Sequence, residues 1–169
     1  MNKRIFKTRI EDRYLEDYEV GAVYDCGRIV VDESEVTAFA KRFDPQPFHT
    51  DPEAARQSVF GGLIASGWHT AALMMRLFVD CYLSRVASLS SPGVDELRWL
   101  KPVRPGDELL LRVTVLEANR SRSKPDRGIL RSYIEVLNQH SQVVMTMKAL
   151  NLLQCREKEA QAVLSRHSS

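Results

Sequence analysis

VFGGLIASGWHTAALMMRLFVDCYLSRVA, residues 59–87, is the stretch on which the fold of this chain turns. Gly61 and Gly62 read as a loop, and Ser66-Gly67 as a helix start. From Trp68 to about Val86 the residues are helix formers, apolar on most faces. Arg76, Asp80 and Ser84 are spaced by four and form one narrow polar stripe. A helix that is apolar nearly all round must be enclosed by the rest of its fold. Arg76, Asp80 and Arg85 interrupt the run, so it reads as a buried helix and no membrane span.

The flanking sequence supplies the enclosure. Upstream, Val23-Tyr24 and Arg28–Val31 are apolar and β-branched, punctuated by Gly21 and Gly27. Asp32 or Ser34 then caps a short helix with Val36, Phe39, Ala40 and Phe43 on one face. Asp51 with Pro52 starts a second brief helix. Downstream of Ser90-Ser91-Pro92-Gly93 the pattern changes to alternation. Val94–Leu100, Glu108–Glu117, Ile129–Leu137 and Gln142–Leu153 read as strands joined by turn residues, hence antiparallel. A curved antiparallel sheet wrapped around one long central helix satisfies these burial demands, an α+β fold. Residues 1–17 read as a loosely held, charged arm, 18–153 as a single domain, and 154–169 as a polar tail.

Composition narrows the function classes. The chain has 169 residues, 44% of them hydrophobic, enough for one domain with a core. A formal charge of +2 implies no strong field for nucleic acid or a membrane surface. The opening residues, MNKRIFKTRIEDR, contain no apolar run of the signal-peptide type. Cys26, Cys81 and Cys155 are far apart and odd in number. They read as unpaired thiols of a reducing cytoplasm, with neither a zinc nor a disulfide framework.

FDPQPFHTD, residues 43–51, carries the chemistry. Pro45, Pro47 and Pro52 exclude a regular helix and stiffen the loop. Asp44 and His49 therefore stand in a fixed relation, and a carboxylate with an imidazole can hold one water and move its protons near neutral pH. The plainer reading of the same residues is a surface loop with an Asx turn at Asp44 and a solvated histidine.

Three blocks together resemble the MaoC-like acyl dehydratase family, which includes the (R)-specific enoyl-CoA hydratases. FDPQPFHTDPEAA is similar to its Asp-x-Asn-Pro-x-His-x-Asp motif, with Asp44 and His49 in the two catalytic places and Gln46 where the family has Asn. GGLIASGWHTAAL resembles the segment that usually reads Ile-x-His-Gly, with Gly67 in the glycine's place and Ser66 in the histidine's. Met75 stands where some hydratases carry a serine. GVDELRWLKPVRPGDELLLRVTVLEA, followed by RSRSKPDRG, resembles the strand–Pro–Gly-Asp–strand signature.

The resemblance implies a hot-dog fold, commonly a homodimer or a dimer of dimers, and addition or removal of water across the 2,3 bond of an acyl thioester. CoA or acyl carrier protein is then the substrate's carrier, with no metal or redox cofactor. Asp44 and His49 would act as acid and base, and the Gly67 amide at a helix start would face the oxyanion. Ser66 would touch the substrate, and Arg120, Arg122, Lys124 and Arg127 would grip CoA phosphates, unless theirs is simply a solvated basic loop.

Other residues have two readings. His69 is a second histidine near the acyl site or a hydrogen-bonded structural one. Arg76 and Asp80 are a functional pair or an i,i+4 ion pair. Trp68 and Trp99 pack the core or a dimer interface. An acyl-CoA thioesterase of the same fold would use a helix carboxylate such as Asp80, and a non-catalytic acyl-CoA-binding subunit would use none of these groups.

Overall fold

A computed structural model describes residues 4–157. Five strands form one antiparallel sheet in the order β1-β3-β4-β5-β2. They are β1 (Val23–Val30), β2 (Ser88–Trp99), β3 (Glu108–Arg120), β4 (Arg127–Leu137) and β5 (Val143–Gln154). Four helices lie between β1 and β2: α1 (Glu33–Phe43), α2 (Pro47–Thr50), α3 (Pro52–Gln57) and the long α4 (Gly67–Cys81).

Alternation explains the packing. Leu109, Leu111, Val113 and Val115 of β3 are buried, as are Leu130, Ile134 and Val136 of β4. Their period of two puts both sets on one face of the sheet. Leu73, Met74, Leu77 and Phe78 of α4 fill the concave side and join them in one core. This is the hot-dog arrangement expected above. Gly27 takes a left-handed φ of +64° at a register shift between Cys26 and Arg28, a bulge that bends β1 beside Leu77.

Several boundaries differ from the sequence reading. Helix α4 stops at Cys81, short of Val86, because the N-terminal segment caps it. Arg13 Nη1 donates to the carbonyls of Cys81 (3.0 Å) and Tyr82 (2.9 Å), which α4 cannot satisfy itself. Ser84 therefore belongs to no helical stripe; it is buried and accepts the Ala87 amide. The sheath is also incomplete: Trp68, Met75 and Val79 of α4 are exposed.

Residues 4–17 are consequently held rather than loose. The Arg13 guanidinium lies 3.3 Å from the Phe6 ring centre, Phe6 stacks on Tyr24, and Leu15 enters the core. Strand β2 begins at Ser88 and runs through Pro92 and Gly93, which read as a break. An edge strand bonded only to β5 tolerates a proline and three register shifts. Most of the polar tail, 158–169, lies outside the described residues. No described helix is long and apolar enough to cross a membrane.

The cysteine reading is overturned. Cys26 of β1 and Cys81 at the end of α4 form a disulfide, with Cα atoms 5.5 Å apart, and Cys155 is free and buried. A separation of 55 residues concealed the pair until β1 and α4 were packed together. The thiol argument for a reducing compartment goes with it. The protein denatured without reductant should expose one thiol per chain to a thiol reagent, and all three after reduction.

Candidate active site

The segment read as a rigid loop is half loop and half helix. Asp44 ends α1, its amide bonded to the Ala40 carbonyl at 2.9 Å, with φ −152° and ψ 67°. Pro47 then opens the single turn α2, at a first-turn position where no amide hydrogen is needed. This turn carries His49, and the fold buries it to 5% exposure.

His49 is anchored from behind. Its Nδ1 lies 2.8 Å from the Ile64 carbonyl. A carbonyl only accepts, so Nδ1 holds a hydrogen and Nε2 is the chemically available nitrogen. Nε2 faces Asp44 Oδ2 at 3.3 Å. The Ile64 amide returns to the Phe48 carbonyl at 3.2 Å, and the Ala65 amide to the Val103 carbonyl at 2.8 Å. The approach to α4 is thus laced to both the histidine turn and the loop between β2 and β3.

Asp44 is gripped at both oxygens. Ser66 Oγ donates to Oδ2 at 2.7 Å and Gln46 Nε2 to Oδ1 at 2.8 Å. The longer amide in the family's Asn place thus reaches back to the carboxylate. The Ser66 bond, then the Gln46 bond, hold the Asp44 carboxyl below the usual aspartate value, with nearby His49 adding to the effect. The carboxylate is therefore ionised at neutral pH.

Asp44, His49 and Gly67 line one cleft of about 550 Å³, with Phe48, Phe60, Ile64, Trp99, Leu100 and Val103 among its walls. That volume suits a small-molecule site. Gly67 is the first residue of α4, so its amide has no intrahelical partner. A Cβ there would strike the Trp99 indole, whose Nε1 donates to the Gly67 carbonyl at 2.9 Å. The aromatic ring, as much as any ligand, demands glycine. Nothing in the local sequence linked Trp99 to this position, 32 residues away.

Three expected site features are displaced. Ser66 is fully buried beneath the cleft and directs its hydroxyl proton to Asp44, so it is no substrate contact. The basic loop does not reach the cleft within one chain. Trp99 aligns through β5 and β4 with Leu111 of β3, and Arg120 lies nine residues further along that strand. That is roughly 30 Å at an ordinary strand rise. There Arg120 pairs with Glu16 and Arg127 with Asp126, beside Arg122 and Lys124 at the β3–β4 turn. The cleft's own cation is Lys101 at its wall.

Asp80 pairs with Arg76 at 2.7 Å on the exposed face of α4, some 20 Å of helix from Gly67. It cannot activate water in this cleft. Among the described residues no group of three or more His, Cys, Asp or Glu is placed to hold a metal ion.

The family model described as MaoC like domain matches residues 17–135. The chain belongs to the MaoC-like family. Among solved structures of this family, the MaoC-like dehydratase from Rhodospirillum rubrum is 46% identical, with a TM-score of 0.79 over 86% of this chain and 99% of that one. The (R)-hydratase PhaJ1 from Pseudomonas aeruginosa is 25% identical, with a TM-score of 0.66 over 85% and 86%. The 3-hydroxyacyl-thioester dehydratase Z of Mycobacterium tuberculosis is 34% identical over 83 residues, covering 48% of this chain and 55% of that protein.

Two predictions test the local packing. His69 is buried against Phe39, its Nδ1 without a partner among the described residues, contrary to the hydrogen-bonded role expected of it. Burial lowers its pKa below the ordinary 6.5. The unfolded chain then binds the proton first, so this stability is complete above the unfolded value and is lost as pH falls through the folded one. The thermal midpoint should drop more for wild type than for His69→Phe between about pH 7 and about pH 5. Separately, Gly67→Ala must push the Trp99 ring aside. It should cost about 1–3 kcal/mol in thermal unfolding and change the tryptophan fluorescence.

Proposed function

We propose that this protein is an (R)-specific enoyl-thioester hydratase, working equally as a 3-hydroxyacyl-thioester dehydratase. One observation carries the reading: an ionised carboxylate and an anchored imidazole meet at 3.3 Å in a cleft that Gly67, the first residue of a 15-residue helix, also lines. The named relatives support the same reaction class.

Hydration needs water delivered to C3, a proton delivered to C2, and the thioester oxygen stabilised as charge moves onto it. Asp44 takes a proton from water as the oxygen bonds to C3. His49 Nε2 carries the proton that reaches C2, and its Nδ1 bond to Ile64 keeps the ring aimed. The Gly67 amide and the positive end of α4 meet the developing enolate oxygen. Dehydration runs the same steps backwards. The apolar walls hold the acyl group, and Lys101 is placed to meet an anionic carrier, CoA or acyl carrier protein.

We further propose a homodimer, formed over the exposed apolar residues Leu89 and Val94 on the β2 edge and Met75 and Val79 on α4. An uncovered edge strand with such side chains invites pairing.

The test is loss of the enoyl-thioester absorbance with crotonyl-CoA and a longer enoyl-CoA, with a thiol-trapping reagent run in parallel. Loss of absorbance without free thiol, giving the (R)-3-hydroxy product, is the expected result. Free thiol release would mean a thioesterase instead. Asp44→Asn and His49→Ala should each lower kcat/KM by about 100-fold or more while the protein stays folded. Near wild-type turnover in either variant would refute the assigned pair.

A further inference from the structure

Ser66 does more than an N-cap requires. An N-cap hydroxyl need only accept an amide hydrogen from the first turn. Ser66 Oγ does accept from the Trp68 amide, at a long 3.3 Å. Its one proton goes elsewhere, to Asp44 Oδ2 at 2.7 Å, the shorter and charge-assisted bond. The two residues are 22 apart in sequence, and the serine is fully buried.

The target oxygen matters. Oδ2 is the one that faces His49 Nε2, while Gln46 holds Oδ1. Gln46 shares the loop with Asp44 and would move with it. Ser66 alone among these donors caps α4, next to Gly67. It therefore ties the carboxylate itself to the helix end carrying the oxyanion amide, as the Ile64 bonds tie the histidine turn to the residues just before it.

We propose that Ser66 is a positioning residue for hydration: its hydroxyl fixes the Asp44 carboxylate to the start of α4, so that the proton-transfer groups and the Gly67 amide keep one spacing. This rests on the hydratase reading and adds to it a role that acts through Asp44, without contact to the substrate. The depressed Asp44 pKa agrees, since the Ser66 bond is its first cause.

Two substitutions separate positioning from capping. Glycine is nearly as good an N-cap as serine but has no hydroxyl, and threonine keeps the hydroxyl. In Ser66→Gly the fold should persist, kcat for crotonyl-CoA should fall roughly 10- to 100-fold, and KM should change little. The Asp44 carboxyl, followed by carbon NMR, should titrate at higher pH than in wild type. Ser66→Thr should restore both kcat and the titration.

Wild-type kcat with an unmoved Asp44 titration in a folded Ser66→Gly would overturn the proposal. So would a loss of kcat that threonine fails to recover while the Asp44 titration stays in place. Failure of the underlying reading looks different: Asp44→Asn would then remain active. An inactive Asp44→Asn beside a fully active Ser66→Gly removes the serine's role alone.

Discussion

The apolar side of α4 has one place to go. Leu73, Met74, Leu77 and Phe78 must leave water, and the concave face of the sheet, lined by Leu111, Val113, Leu130 and Ile134, is the surface that receives them. At roughly 25 cal/mol per Å² of apolar surface removed from water, four large side chains dominate any single polar contact nearby. Once they are seated, the two ends of the helix are fixed in space. One end receives Arg13 and the Cys26–Cys81 bridge. The other presents Ser66 and Gly67 to the Asp44–His49 segment. The proposed site sits where hydrophobic packing has already settled the geometry.

The polar contacts then act on direction rather than on bulk stability. A carboxylate in a cleft with apolar walls would ordinarily be pushed toward its neutral form. Two donors reverse that tendency at Asp44, and the anchored Nδ1 of His49 leaves Nε2 as the only nitrogen to face it. Because Asp44 terminates α1 and His49 lies on the one-turn α2, each is placed by backbone hydrogen bonds of its own element. Few freely rotating bonds remain between the helix frame and the Asp44 and His49 side chains. That economy of motion suits the proposed proton transfer, which works over short distances.

Local patterns carried much of this into the sequence. The alternation of β3 and β4, the face of α1, the caps at Asp32, Asp51 and Ser66, and the i,i+4 pairing of Arg76 with Asp80 all depend on neighbours a few residues apart. What stayed hidden depends on partners far along the chain. The end of α4 is set by Arg13, 68 residues before Cys81. The glycine at 67 answers to Trp99, and the thiols of Cys26 and Cys81 meet only after β1 packs on the helix. The basic residues after Asn119 looked well suited to phosphates by charge, yet charge alone has no address. Strand register puts them at the far end of the sheet from the cleft.

The two departures from the family motif gain meaning in this light. Gln46 and Ser66 stand in the places of Asn and His, and read singly each suggests a weakened site. In the fold both donate to the same carboxylate, one to each oxygen. An amide longer by one methylene can reach back two residues to Asp44, and a small hydroxyl can lie fully buried at a helix start where an imidazole would need far more room. The pair therefore behaves as a matched set: Gln46 holds the carboxylate from within its own loop and Ser66 from the start of α4, and neither replacement is legible without the other.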